Sequence, residues 1–113
     1  MYQNIEQQFE IFLGQKFDYI NELTDLQKTN LARLILGSTI IIYKDMNPIS
    51  MHPGYSKRRL SKLFGPNKFD EIISRLTPAI IEPVLSDNPR LKYQITEAGK
   101  KLAFQFSAEK IFD

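Results

Sequence analysis

Between Asp45 and Asp70 the chain carries no acidic residue and five bases: Lys57, Arg58, Arg59, Lys62 and Lys68. Cations bunched in this way neutralise a row of anions, and the phosphate backbone of a nucleic acid is the first such row to consider. A solvated helix face that binds nothing has the same composition. The wider distribution points the same way. Residues 1–50 hold four bases and six acids, whereas residues 51–113 hold eleven bases and seven acids. Arg90 and Lys92 follow a turn-rich stretch, Ser86-Asp87-Asn88-Pro89. An arginine at such a tip can enter a narrow minor groove; a plain soluble turn is the other reading.

Other chemistries lack their residues. There is no cysteine, which excludes a disulfide scaffold, a thiolate zinc site, an iron–sulfur cluster and a thiol nucleophile. It suits a reducing cytosol, and a cytoplasmic location is expected. The one histidine, His52, sits in a Pro-rich loop with no second ligand nearby, so neither a metal nor a cofactor is expected. No phosphate-cradling Gly-rich loop, nucleophile elbow or paired acid and base stands out, so no catalytic residue is assigned. The N-terminus, Met-Tyr-Gln-Asn-Ile-Glu, lacks the basic and then apolar runs of a signal peptide. The most apolar stretch, Leu31 to Tyr43, has 13 residues and contains Arg33. A bilayer span needs about 20, so no membrane partner is expected. With 113 residues, 42% apolar and 25% charged, one globular domain over 1–113 is expected.

The elements that must position the bases follow from hydrophobic spacing. Ile5, Phe9, Phe12, Leu13, Phe17 and Ile20 recur at helical intervals across Tyr2 to Ile20, with acids and amides opposite. This amphipathic helix (1–20) has an apolar stripe that suits core or a dimer interface. The dimer reading is preferred, through Ile5, Phe9, Phe12, Leu13 and Phe17, helped by Phe104 and Phe106. A membrane-surface face is rejected because the polar side, Glu6, Gln7, Glu10, Gln15 and Lys16, carries mainly acids and amides where a membrane face carries Lys and Arg. Thr24-Asp25-Leu26-Gln27 fits a capping box. The helix it opens is expected to reach about Lys44, with a strand at Ile40 to Ile42 as the open alternative. Met46 to Gly54 reads as a loop with a short extended piece at Ile49 to Met51. Ser56 caps a helix Lys57–Phe64, with Tyr55 packing back on Leu60 and Gly65 ending it as a left-handed cap. Asn67 caps a helix to Leu76, whose Phe69, Ile72, Ile73 and Leu76 form a buried stripe. Two short helices joined by a Gly-containing turn make a helix-turn-helix pattern. Ile80–Leu85 and Arg90–Ile95 make a β-hairpin with Pro83 at an edge. Thr96 caps a last helix, Glu97 to about Phe106, with Ala98, Leu102, Ala103 and Phe106 inward. The fold class is mainly α with a small β-hairpin (α+β).

This order resembles the winged-helix family of DNA-binding domains. Leu60-Ser61-Lys62-Leu63-Phe64-Gly65, Phe69 to Leu76, Ile80-Ile81 and Tyr93-Gln94-Ile95-Thr96-Glu97-Ala98-Gly99-Lys100-Lys101-Leu102 carry the resemblance. It covers about residues 24–106, with the first helix as an extra element. The resemblance implies that Asn67–Leu76 is the recognition helix, Lys57–Phe64 the supporting helix that crosses the phosphate backbone, and Ser86–Lys92 the wing tip. The expected DNA contacts are Tyr55, Ser56, Lys57, Arg58, Arg59, Lys62, Asn67, Lys68, Ser74, Arg75, Arg90 and Lys92. One departure is Asp70 and Glu71 on the outer face of the recognition helix. They complement the positive end of their helix, or Glu71 accepts from a cytosine amino group.

The function expected is non-enzymatic binding of double-stranded DNA by a homodimer, in transcriptional regulation or in plasmid or phage replication or partition. A winged-helix protein-interaction module, with a protein partner, is the alternative. A domain of a longer protein is a third possibility.

Overall fold

The computed structural model describes residues 4–38, 41–44, 47–50, 54–84, 90 and 92–112. Its helices are α1 (Ile5–Lys16), α2 (Asp25–Ser38), α3 (Lys57–Phe64), α4 (Phe69–Leu76) and α5 (Glu97–Phe112). Its strands are β1 (Ile41–Lys44), β2 (Asn47–Ser50), β3 (Ile81–Pro83) and β4 (Tyr93–Ile95), paired as two antiparallel hairpins. The fold is mainly helical α+β. No described helix is long and apolar enough to cross a membrane.

α1 is shorter than expected. Asn4 opens it with a reciprocal capping box: Gln7 N donates to Asn4 Oδ1 at 2.8 Å and Asn4 N to Gln7 Oε1 at 3.2 Å. It stops at Lys16, Phe17 is extended, and a 3-10 turn, Asp18–Glu22, follows. Asn21 folds back to donate to the Gly14 carbonyl at 3.1 Å. A Cβ at residue 14 would collide with that Asn21 side chain, so the glycine serves the turn.

α2 opens on the expected box, with Gln27 N donating to Thr24 Oγ1 at 3.2 Å and Thr24 N to Gln27 Oε1 at 2.9 Å. It ends at Ser38, not near Lys44. Ser38 Oγ bonds back to the Leu34 carbonyl at 2.7 Å, and the run beyond it is β-branched, which favours extended backbone. Ile41–Lys44 pairs with Asn47–Ser50, Ile42 opposite Ile49. The strand alternative therefore holds for 41–42 and extends to Lys44. Thr39, Ile40, Met46, Met51 and His52 lie outside the described residues.

α3 spans the expected residues, and Ser56 Oγ accepts from Arg59 N at 3.1 Å. Gly65 has a positive φ of 92°, but ψ of 134° leads it into extended chain instead of a left-handed helical cap. α4 begins one turn residue later than expected. Lys68 is its N-cap, with no side-chain cap bond, so Asn67 is an exposed turn residue and not a cap.

The core is one cluster drawing on both ends of the chain. The Phe106 ring lies 5.2 Å from Phe9 and 5.6 Å from Phe12, between centroids. Phe9, Phe12 and Leu13 are buried and Phe17 packs against the cluster. This corrects the reading of that stripe as a dimer interface: the fold itself consumes it, because α5 returns to cover α1. Only Ile5, at the stripe's end, is 55% exposed. Phe104 is exposed, so it takes no part in this cluster.

β3 and β4 pair Ile81 with Ile95, both buried, and Glu82 with Gln94, whose Nε2 donates to Glu82 Oε1 at 2.6 Å. Thr96 caps α5, accepting from Gly99 N at 2.9 Å. That cap sets the phase of α5. Gly99 faces in and Ala98 is exposed, which reverses the expected Ala98 position. A Cβ on Gly99 would sit 2.9 Å from Ile95 Cγ2 and 3.0 Å from the Ile80 carbonyl. The carbonyl is backbone and cannot swing aside. We expect Gly99→Ala to destabilise the fold by about 1–3 kcal/mol, read as a lowered thermal midpoint; an unchanged midpoint would refute the close approach.

Candidate nucleic-acid interface

α3 is amphipathic along its whole length. Leu60 and Phe64 are fully buried, while Lys57, Arg58, Arg59 and Lys62 are exposed. α2 holds the far end of α3 rigidly. Gln27 Nε2 donates to the Phe64 carbonyl at 2.9 Å and Asn30 Nδ2 to the Leu63 carbonyl at 2.8 Å, filling acceptors that a helix C-terminus leaves open.

The near end of α3 is electrostatically odd. Its first turn holds Lys57, Arg58 and Arg59 and no acid. A helix N-terminus is the positive end of the macrodipole, where cations are unfavourable by about 0.3–1 kcal/mol each. No described carboxylate pairs with Lys57, Arg58, Arg59 or Lys62; the ion pairs among the described residues lie elsewhere. Lys57 Nζ lies 5.9 Å from the centre of the Phe69 ring, and Arg59 Cζ 5.9 Å from that of Tyr55. These contacts orient the cations without neutralising them.

The hairpin is tied to this end. Tyr55 and Tyr93 form an antiparallel bridge: Tyr55 N donates to the Tyr93 carbonyl at 2.7 Å, and Lys92 N to the Tyr55 carbonyl at 3.0 Å. Lys92, exposed, is thus anchored directly before the start of α3. Arg90 is exposed on the same hairpin. The tip at 85–89 and Leu91 lie outside the described residues.

Tyr55 itself is a correction. It is 3% exposed, and its hydroxyl bonds the Leu34 carbonyl at 3.0 Å and Ser38 Oγ at 2.8 Å. Burial pushes its phenol above the usual value, against the lowering effects of the Ser38 bond and the Arg59 charge. Its side chain belongs to the core. Ser56 is half-buried, with Oγ engaged as the cap.

α4 presents a different surface. Its exposed side chains include Asp70, Glu71 and Ser74. Its cations are already paired: Lys68 Nζ is 3.4 Å from Glu71, and Arg75 is 3.8 Å from Glu22 with its guanidinium 4.4 Å from the centre of the Tyr19 ring. Burial and the Glu71 carboxylate push the Tyr19 phenol up, while Arg75 pulls it down. Asn67 is exposed in the turn. The structure therefore divides the expected contact set. Among the described residues, Lys57, Arg58, Arg59, Lys62 and Lys92 are exposed with no ion pair, whereas Lys68 and Arg75 each have a carboxylate partner. Sequence reading missed Arg33 of α2, which shares a groove with Arg59; residues so far apart leave no local pattern to find.

No family model matches the chain, and no curated protein and no solved structure matches it.

Proposed function

We propose that the chain is a winged-helix module that binds double-stranded DNA without catalysis, gripping phosphates through α3 and the β3–β4 hairpin. The observation that carries the reading is the first turn of α3: three cations at the positive end of a helix with no described carboxylate to balance them. Such an arrangement costs folding energy and is compensated when an anion arrives. The four α3 bases and Lys92 can release counterions from several phosphates at once. α4 contributes less, because Lys68 and Arg75 are spent on Glu71, Glu22 and Tyr19. Phosphate contacts position a protein but do not specify sequence, so the grip described is general for duplex DNA. A cytoplasmic role in transcriptional regulation, or in replication or partition of a plasmid or phage, fits such a module. The reading needs no dimer.

Fluorescence anisotropy with a mixed-sequence duplex at several salt concentrations tests this. The expected log–log slope is about −3 to −5, from four or five neutralised phosphates. Absence of binding at low salt would overturn it. A second reading, docking of a protein partner, rests on the acidic outer face of α4. A partner retained in pull-downs after nuclease treatment would favour it.

A further inference from the structure

The geometry points to a binding site for a small organic anion in the groove between α2 and α3. The groove is half open to solvent, with a volume of about 320 Å³, and none of its lining residues is acidic. Its lining includes Arg33, Leu34 and Gly37 of α2 and Arg59 and Leu63 of α3.

Gly37 is the informative residue. Apart from proline, glycine is the least favourable residue inside a helix. The other four glycines have local reasons. Gly54 and Gly65 take positive φ, and a Cβ at Gly14 or Gly99 would collide with its surroundings. Gly37 has neither reason: its φ is not positive, and a Cβ built there meets no described atom within 4 Å. What its missing side chain provides is open space in the groove.

Arg59 supplies the charge and Arg33, paired with Glu6, supplies further donors. Arg33 Nε donates to both Glu6 carboxylate oxygens, at 3.2 and 3.1 Å. That holds the guanidinium through Nε, and its Nη donors have no partner among the described residues. Arg59 has no described carboxylate partner. A carboxylate, phosphate or sulfonate head suits such donors, and a flat apolar body suits Leu34, Gly37 and Leu63. Asn30 spends its Nδ2 on the Leu63 carbonyl, which leaves Oδ1 to accept from the ligand. The occupant is thus a compact monoanion with an apolar body and one donor.

Anilinonaphthalene sulfonate has that chemistry and reports binding by fluorescence. Titrated into the full chain without DNA, it should bind saturably at one site, with stoichiometry set by equilibrium dialysis. Gly37→Leu, which fills that space, should weaken binding at least about tenfold, and Arg33→Gln and Arg59→Gln about fivefold each. Phe104→Ala, on the exposed side of α5, should change nothing. If Gly37→Leu does not fold by circular dichroism, Gly37→Ala decides, with an expected loss of about threefold. No saturable binding, or binding that survives the Gly37 substitution, overturns the proposal. Neither result decides the duplex reading, because no DNA is present and, of the α3 bases, only Arg59 lines the groove.

Discussion

Replacing Arg58 and Lys62 together by alanine lowers the affinity for a mixed-sequence duplex by roughly 10–100-fold, at about one charge-assisted contact each. The log–log salt slope falls in magnitude by about 2 in the same titrations. Both side chains are exposed and make no described ion pair, so the thermal midpoint does not fall, and it rises slightly as Arg58 leaves the positive end of α3. The contrast is Arg75→Ala. That charge is already shared between Glu22 and the Tyr19 ring, so duplex affinity changes by less than about twofold while stability drops by about 0.5–1 kcal/mol through the lost cation–π contact. Anisotropy and a thermal melt on the same samples separate the two. If Arg75→Ala weakened binding more than the α3 double variant did, α4 and not α3 would hold the phosphates.

The second large effect falls on stability. Phe106→Ala destabilises the fold by about 3–5 kcal/mol, because its ring joins Phe9 and Phe12 at the centre of the cluster. Against a usual total of about 5–15 kcal/mol, that removes much of what holds the terminal helices together. A concentration series on the unmodified chain also bears on the α1 stripe, since its burial within the fold leaves it nothing to contribute to an interface between copies. If the α1 stripe were instead an interface between copies, the midpoint would rise with concentration. Urea unfolding of Phe106→Ala, with a concentration series on the parent chain, checks both.

The basic helix was the most legible element. Ser56 before it and Gly65 after it are strong boundary signals, and the Leu60–Phe64 spacing sets which side is wet. α5 shows the limit of spacing alone. Its inward residues depend on its phase, which the Thr96 cap sets, and Gly99 carries no hydrophobic mark. The α1 stripe declared that it would be buried but not against what, since Phe106 lies at the far end of the chain. The run after Ser38 is apolar on every side, so periodicity had nothing to distinguish strand from helix. Within the candidate site, the charges were visible but their compensation was not. Lys68 and Glu71 are near in sequence, yet the capture of Arg75 by Tyr19 and Glu22 is a tertiary event. So is the Tyr55–Tyr93 bridge that brings Lys92 to the start of α3.

The measurement closest to the central claim is a two-dimensional amide NMR titration of the chain with a short mixed-sequence duplex. The account predicts that the largest shifts fall on residues 56–62 and on Lys92, with small ones at Asp70, Glu71 and Ser74. Shifts concentrated on α4, with 56–62 unmoved, would contradict it.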